Sequence, residues 1–305
     1  MRRVLMNLCW CWAEQQADDR IIVSVIDIRI SRIWSETLIT PQRSRLSKQI
    51  SGWRQGQGPN LLLIHGVGMR AEYWSNITDQ LQRCFTLTLI DMPGHGQSPV
   101  YTASDPGLTD YTDTIADLLQ ERGEPTFVVG HSMGALIALD IAVRYSSLIA
   151  GIGVFNGVYR RSAKALSAIN ARVAELSSSE RSGSEATLVR WFGETPTGIN
   201  AVSADACREW LADVNQAGYR DAYRAFANAD APTDDQLKSL QCPALFMTGS
   251  LEPNSTPTMS RSMSELVPHA HCVIVDEARH MMSMTHGQVV VQAITDFFLP
   301  QRVAP

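Results

Sequence analysis

The 305-residue chain lacks the features that define several large classes of protein. It has no long run of lysine or arginine, and 26 basic against 31 acidic side chains leave a net charge of −5, so a nucleic-acid-binding footprint is missing. No stretch reaches the roughly 18 apolar residues of a membrane span. The six cysteines match neither a disulfide scaffold nor paired zinc knuckles. They are Cys9, Cys11, Cys84, Cys207, Cys242 and Cys272.

These absences predict a cytoplasmic protein with reduced thiols that binds neither nucleic acid nor membrane. Residues 1–13 combine a basic start with an apolar middle, but the segment is shorter than a signal peptide and Asn7 interrupts it. The remaining composition, 45% hydrophobic, 19% charged and 7% aromatic, excludes a disordered, collagen-like or heptad-rich chain. The length suits one large α/β domain with an insertion as well as it suits two domains.

From residue 49 onward, short apolar runs alternate with helical spacing. The predicted strands are 49–54, 61–64, 85–90, 126–129, 150–155, 244–248 and 272–275. The predicted helices are 72–83, 111–122, 135–145, 163–176, 186–192, 206–215, 219–227 and 287–298. This alternation predicts a doubly wound, mostly parallel α/β sheet whose central strands are buried on both faces.

The alternation is interrupted between residues 157 and 239, where helical patterns rich in Ala, Ser and Arg contain no convincing strand. We interpret 157–239 as a helical cap inserted into a core formed by 49–156 and 240–300. Residues 1–48 are predicted to be an N-terminal extension, within which 20–33 alternates like a strand or hairpin arm. Two explanations of the extension stay open, an additional arm of the fold or residues added by an upstream start codon.

The pentapeptide 130–134 (GHSMG) is the strongest chemical motif. It lies between a predicted buried strand and an apolar predicted helix, which is the context of a nucleophile elbow. The glycines are needed because side chains at these positions would collide with neighbouring segments of a sharp turn. Such a turn exposes the hydroxyl of Ser132 at the amino end of the helix, which makes Ser132 the candidate nucleophile.

With this motif in place, the sequence resembles the α/β-hydrolase superfamily over residues 49–300. Residues 65–68 (HGVG) resemble the family's oxyanion loop, and the resemblance implies that the backbone amides of Val67 and Met133 bind a developing oxyanion. Residues 91–98 (DMPGHGQS) match a turn that is typical of the family, to which we assign no catalytic role. We expect His65 to be a packed loop residue.

A serine nucleophile needs a base with a pKa near neutrality, which favours a histidine. His280 stands where the family places its catalytic histidine, although Arg279 replaces the more usual preceding glycine; His286 is the fallback. In residues 249–253 (GSLEP), Glu252 occupies the position at which the family usually has an aspartate. The order Ser132, Glu252, His280 is the order of triad members in this fold.

Other acidic positions are less suitable. Some members of the family place the acid after the strand predicted at 150–155, but the chain has Asn156 there, which carries no charge. Asp276 and Glu277 are close to the candidate base in sequence, but they lie on the wrong side of the turn.

The resemblance implies a serine hydrolase of a carboxylic ester or lactone bond in a small metabolite, acting through an acyl-serine intermediate. Ser132 excludes the alkyl-enzyme ester formed by family members with a carboxylate nucleophile. The mechanism needs no cofactor, and no residue cluster has the spacing of a metal site. Two alternatives stay open: a C–C bond hydrolase of dienone or β-diketone substrates, and a non-catalytic ligand-binding protein with this fold. The sequence assigns no oligomeric state.

Substrate choice is expected to depend on the predicted cap. The aromatic candidates to line a pocket, for which packing inside the cap is the competing role, are Trp191, Phe192, Trp210, Tyr219, Tyr223 and Phe226. Five arginines are candidates to bind a substrate carboxylate, and a solvated helix face explains them at least as well. They are Arg160, Arg161, Arg190, Arg220 and Arg224. Residues 217–226 loosely resemble 3-oxoadipate enol-lactonases.

Overall fold

A computed structural model describes residues 42–177 and 184–299. Its strands are β1 (Ser44–Arg45), β2 (Ser51–Gly56), β3 (Asn60–Ile64), β4 (Thr86–Asp91), β5 (Thr126–His131), β6 (Ile149–Phe155), β7 (Ala244–Gly249) and β8 (Ala270–Val275). Its helices are α1 (Ser75–Leu81), α2 (Leu108–Gln120), α3 (Met133–Arg144), α4 (Ala163–Ser177), α5 (Glu185–Phe192), α6 (Ile199–Asp213), α7 (Gln216–Asn228), α8 (Asp234–Ser239), α9 (Pro257–Leu266), α10 (Met282–Thr285) and α11 (Gly287–Phe298).

The strands form one sheet in the order β1-β2-β4-β3-β5-β6-β7-β8. Strand β2 is antiparallel to both of its neighbours, β1 and β4, and every further pairing along the sheet from β4 to β8 is parallel. The prediction of a doubly wound, mostly parallel sheet is therefore confirmed. Because parallel strands end at the same edge, the loops that follow β3, β5, β7 and β8 converge there, at the usual location of sites in such sheets.

The central strands read as continuous apolar runs because both faces of the sheet are covered. In β3, Leu61 and Leu63 pack into one hydrophobic core, whereas Leu62 and Ile64 pack into the other. Successive side chains of a strand point to opposite faces, so a strand buried on both sides needs apolar residues at every position. The two cores therefore cover the two faces of the sheet.

Helices α4 to α8 occupy the described part of the segment 157–239, and no strand lies among those residues. Helix α7 meets the core at a contact between two glycines. A Cβ atom on Gly218 would lie 2.1 Å from the carbonyl oxygen of Gly94, so the backbones can approach this closely only without a side chain. The assignment of 157–239 as a cap domain remains a prediction. The contact between Gly218 and Gly94 is one place where this segment packs against the core.

Helices α6, α8, α9 and α10 differ from the sequence prediction, which contained neither α8 nor α10. Helix α6 begins at Ile199 rather than at Ala206, directly after Gly198, whose φ of 54° lies in the left-handed region. Helix α9 was not predicted, although its start carries recognisable signals. The side chain of Thr256 accepts a hydrogen bond from the amide of Met259, and a proline occupies the first turn.

Part of the predicted N-terminal extension joins the sheet. Residues 44 and 45 pair antiparallel with β2, and the guanidinium of Arg43 forms ion pairs with Glu72 and with the buried Asp91. The strand or hairpin arm predicted at 20–33 lies outside the described residues. Within residues 42–177 and 184–299, no helix is long and apolar enough to cross a membrane.

Candidate active site

Ser132 sits at a sharp turn between β5 and α3. Its backbone has φ 56° and ψ −114°, in the left-handed half of conformational space that a residue with a side chain adopts only under constraint. The turn leaves no room for side chains on either flank. A Cβ atom on Gly130 would lie 1.9 Å from the carbonyl oxygen of Gly134, and one on Gly134 would lie 2.4 Å from that of Ile64. The GHSMG sequence therefore folds into the strained elbow that its glycines predict.

Glu252 and His280 come together from the loops after β7 and β8. The Nδ1 atom of His280 lies 2.8 Å from Oε2 of Glu252. Since a carboxylate oxygen only accepts, Nδ1 carries the hydrogen, and Nε2 keeps a free lone pair. The other carboxylate oxygen accepts the backbone amides of Asn254 at 2.8 Å and Ser255 at 3.2 Å. This arrangement fixes the imidazole in the tautomer of a general base.

The pKa of Glu252 is lowered from its usual value, although its side chain is buried. Burial by itself raises the pKa of a carboxyl group. The charge and hydrogen bond of His280, with the two backbone amides, outweigh that cost. Glu252 therefore stays ionised at neutral pH, as a residue that stabilises an imidazolium must.

His131 and Trp191 contact His280 from two further sides. Trp191 was a predicted candidate to line the pocket, whereas no role was predicted for His131. His131 Nε2 donates to the backbone carbonyl of His280 at 2.9 Å, and the Trp191 ring of α5 stacks on the imidazole at 5.8 Å. Burial, with the neighbouring His280, lowers the pKa of His131 well below its usual value, so its ring is neutral. His131 fills the variable second position of the GHSMG motif, where no sequence signal marks such a role.

Ser132 and His280 line one cavity of about 460 Å³. The Ser132 hydroxyl makes no hydrogen bond to a described residue, so the serine–histidine contact of a working triad is not formed here. Such contacts are often long in ligand-free sites and tighten when substrate binds. The fallback base, His286, does not line the cavity, and its Nδ1 lies 2.8 Å from the hydroxyl of Thr285.

The predicted oxyanion loop faces the same cavity. Val67 lines it, and Met133 is the first residue of α3, whose amide has no carbonyl partner within the helix. The amide of Gly68 donates to Nε2 of His95 at 3.0 Å, so the turn that contains DMPGHGQS supports the loop. His65 is fully buried and accepts a backbone amide, as expected of a packed loop residue.

Some of the residues predicted to line a pocket line this cavity, and others do not. Four of the six aromatic candidates line it: Trp191, Tyr219, Tyr223 and Phe226. Phe192 packs in a hydrophobic core, and Trp210 lies under Arg70. The cavity also contains a cationic wall, because Arg161, Arg172 and Arg190 line it. Among the residues that the structure describes, no group of histidine, cysteine and acidic side chains is placed to hold a metal ion.

The sheet order and the serine elbow define an α/β-fold hydrolase. A family model described as "Alpha/beta hydrolase family" matches residues 61–293, and the chain belongs to this family. The resemblance and the fold class predicted from the sequence are thereby confirmed. The enol-lactonase of Burkholderia xenovorans shares the fold, with a TM-score of 0.72 and 18% identity over 85% of this chain and 100% of the enol-lactonase chain.

Three curated relatives are hydrolases with different substrates. The (E)-2-((N-methylformamido)methylene)succinate hydrolase of Acinetobacter baylyi is 37% identical over 79% of this chain and 91% of its own length. A pimeloyl-[acyl-carrier protein] methyl ester esterase of Aeromonas salmonicida is 29% identical over 81% and 98%. The 3-oxoadipate enol-lactonase 1 of Acinetobacter baylyi is 26% identical over 88% and 98%. Hydrolysis is common to all three, whereas the substrate is not.

Proposed function

We propose that this hydrolase cleaves a carboxylic ester or lactone bond in a small metabolite through an acyl-serine intermediate. The observation that carries the proposal is the hydrogen bond between Glu252 and His280 beside the Ser132 elbow, around one cavity. The esterase and enol-lactonase relatives support the bond type, since a lactone is a cyclic ester. The proposed catalytic residues are Ser132, Glu252 and His280.

In the acylation step, Ser132 Oγ attacks the carbonyl carbon while His280 Nε2 takes its proton. The oxyanion forms next to the amides of Val67 and Met133, each such donor contributing on the order of 3 kcal/mol. The C–O bond then breaks, and the alkoxide leaves with the proton from His280. In deacylation a water molecule, deprotonated by His280, attacks the acyl-serine, and the carboxylic acid leaves as Ser132 recovers its proton.

A second candidate is hydrolysis of an acylated enamine that carries carboxylates. It is favoured by the 37% identity with a hydrolase whose named substrate is a succinate bearing a formamide group. The same three side chains would serve, because a nucleophilic serine attacks amide and ester carbonyls alike. C–C bond hydrolysis next to a carbonyl, and ligand binding without turnover, are the other outcomes that the experiment below separates.

The test is hydrolysis of p-nitrophenyl acetate and butyrate by the wild type and by Ser132→Ala, with the exposed Ser239→Ala as a matched control. Turnover in the wild type and control that is lost in Ser132→Ala, with an acetylated Ser132 detected by mass spectrometry, supports the proposal. Turnover that persists in Ser132→Ala overturns the assignment of the nucleophile. A wild type inactive on these esters, on lactones and on dicarboxylic half-esters overturns the ester function, and loss of colour from a dienone substrate would then support C–C cleavage.

A further inference from the structure

The five arginines that the sequence offers as candidate carboxylate ligands, or as members of a solvated helix face, do not share one environment. Three of them form ion pairs with acidic side chains: Arg160 with Asp234, Arg220 with Asp221, and Arg224 with Asp221 and Asp105. The remaining two, Arg161 and Arg190, line the cavity that contains Ser132. The structure therefore divides the set into three arginines that have acidic partners and two that line the cavity.

Arg161 is the buried member of the second group, with 8% of the residue exposed. Its guanidinium donates to the carbonyl oxygens of Phe226 at 2.9 Å and Ala227 at 3.1 Å, and it lies 4.5 Å from the centre of the Phe226 ring. Its Nε has no hydrogen-bond partner, and no carboxylate of a described residue forms an ion pair with it. Two carbonyls leave several of the five N–H groups of this cation unused.

A buried cation without an ion pair would be stabilised by an anionic partner. Moving a charged group out of water carries a large desolvation cost, which a nearby opposite charge offsets best. Burial lowers the pKa of Arg161, with Asp230 opposing that effect. An arginine nevertheless stays charged at neutral pH, because its ordinary pKa is so high.

Among the described residues of the wall, no acidic side chain forms an ion pair with Arg161 or Arg190. Arg172 forms an ion pair with Glu175, the acidic residue of the described lining, at 3.0 Å. Arg190 donates to the hydroxyl of Thr187 at 3.0 Å and adds a second cation to the wall. A cavity lined in this way attracts anions and favours them over neutral molecules of the same shape.

We propose that Arg161 binds a free carboxylate of the substrate, so that the site takes small acyl compounds that carry a carboxylate, such as half-esters of short dicarboxylic acids. The carboxylate would occupy the unused N–H groups of Arg161 while the acyl carbon lies at Ser132. A cavity of about 460 Å³ has room for both ends of such a molecule. That Ser132 cleaves the bound compound rests on the proposed function, whereas the binding of a carboxylate by Arg161 does not.

The kinetic test compares monomethyl succinate with methyl 4-oxopentanoate, a neutral ester of nearly the same shape. We expect the wild type to have the higher kcat/KM for the half-ester, and Arg161→Met to reduce the ratio of the two values roughly 10- to 100-fold, mainly through KM. Arg161→Lys should recover part of the ratio because it keeps the charge. The adjacent Arg160→Met, at a residue paired with Asp234 outside the cavity, should keep the wild-type ratio.

A binding test separates the subsite from the chemistry. Calorimetry with Ser132→Ala should detect binding of succinate but not of the neutral succinamide, and adding Arg161→Met should abolish the succinate signal. Succinate binding without ester turnover in the wild type would retain the subsite and overturn the proposed function. Equal kcat/KM for the two esters in the wild type, or no succinate binding to Ser132→Ala, overturns the subsite even if Arg161→Met fails to fold.

Discussion

At the scale of single residues, the proposed triad acid is a glutamate where the family usually has an aspartate, and its hydrogen bonds hold it next to His280. Glu252 has one methylene more than the aspartate usual at this position, yet its Oε2 reaches Nδ1 of His280 at 2.8 Å. The other oxygen accepts the backbone amides of Asn254 and Ser255, so both carboxylate oxygens have partners. Glu252 is therefore a buried, hydrogen-bonded residue and not a surface loop charge.

Glu252→Gln should lower kcat by roughly 10³- to 10⁴-fold, the scale observed when a triad acid is neutralised. The amide keeps the shape of the side chain but loses the charge that stabilises the imidazolium, and its NH₂ group favours the wrong histidine tautomer. Steady-state kinetics with a p-nitrophenyl ester, and a melting curve showing an intact fold, check this expectation. The exposed Glu277→Gln, three residues from His280 in sequence, should stay within about twofold of wild type. Near-full activity of Glu252→Gln would place the acid elsewhere.

The sequence was informative about the candidate site because its chemistry depends on local motifs. Ser132 is marked by flanking glycines, whose absent side chains leave room for the elbow. His131 and Arg161 carry no such mark, since their roles come from contacts with residues far along the chain: the carbonyl of His280 for one and those of Phe226 and Ala227 for the other. Long-range contacts of this kind have no local pattern to read.

At the scale of elements, two loops on the sheet edge hold each other through a pair of histidines. His65, after β3, accepts the amide of Met92 at 3.0 Å, and His95, after β4, accepts the amide of Gly68 at 3.0 Å. Each ring donates its other nitrogen's hydrogen to a carbonyl of its own loop, from His65 to Gly66 and from His95 to Pro93. The crossed bonds fix the loop that contains the proposed oxyanion donor, provided that both rings are neutral.

This arrangement predicts a stability that decreases in acid. Burial lowers the pKa of His95 to about 4, against the opposing effects of the Pro93 carbonyl and Asp91. An unfolded histidine titrates near 6.5, so between about pH 6.5 and 4 the unfolded chain binds more protons than the folded one. The stabilisation is complete above pH 6.5 and is lost as the pH falls, by up to roughly 2 kcal/mol at pH 5.

His95→Gln, whose side-chain oxygen can still accept the Gly68 amide, should remove this contribution. We expect the free energy of unfolding of the variant to decrease less than that of wild type between pH 7.5 and 5, whatever its value at pH 7.5. Urea denaturation at several pH values gives the free energy of unfolding of each protein as a function of pH. The exposed His271→Gln is the control. If the free energies of unfolding of wild type and His95→Gln change equally with pH, burial does not lower the pKa of His95.

At the scale of the whole molecule, the described chain begins with a segment that the sequence alone did not connect to the fold. Arg43 lies 2.8 Å from the carboxylate of Asp91, pairs with Glu72 and stacks over Trp53 at 5.3 Å. Asp91 is fully buried, and its two oxygens also accept the amides of Ala71 and Gln97 at 2.9 Å. A polar, arginine-containing stretch gives no local indication that one of its charges is paired inside the protein.

Two truncated chains should therefore differ in stability. A chain that begins at Gln42 keeps Arg43, whereas one that begins at Gln49 leaves the buried carboxylate of Asp91 without its cation. Because breaking a buried pair leaves an uncompensated charge, we expect the shorter chain to be less stable by about 3 kcal/mol or more, measured by guanidinium chloride denaturation. Arg43→Met in the longer chain isolates the charge from the loss of β1 and should account for most of the difference. Equal denaturation midpoints for the two chains would mean that residues 42–48 are dispensable and that the hydrogen bonds from Ala71 and Gln97 suffice to hold Asp91.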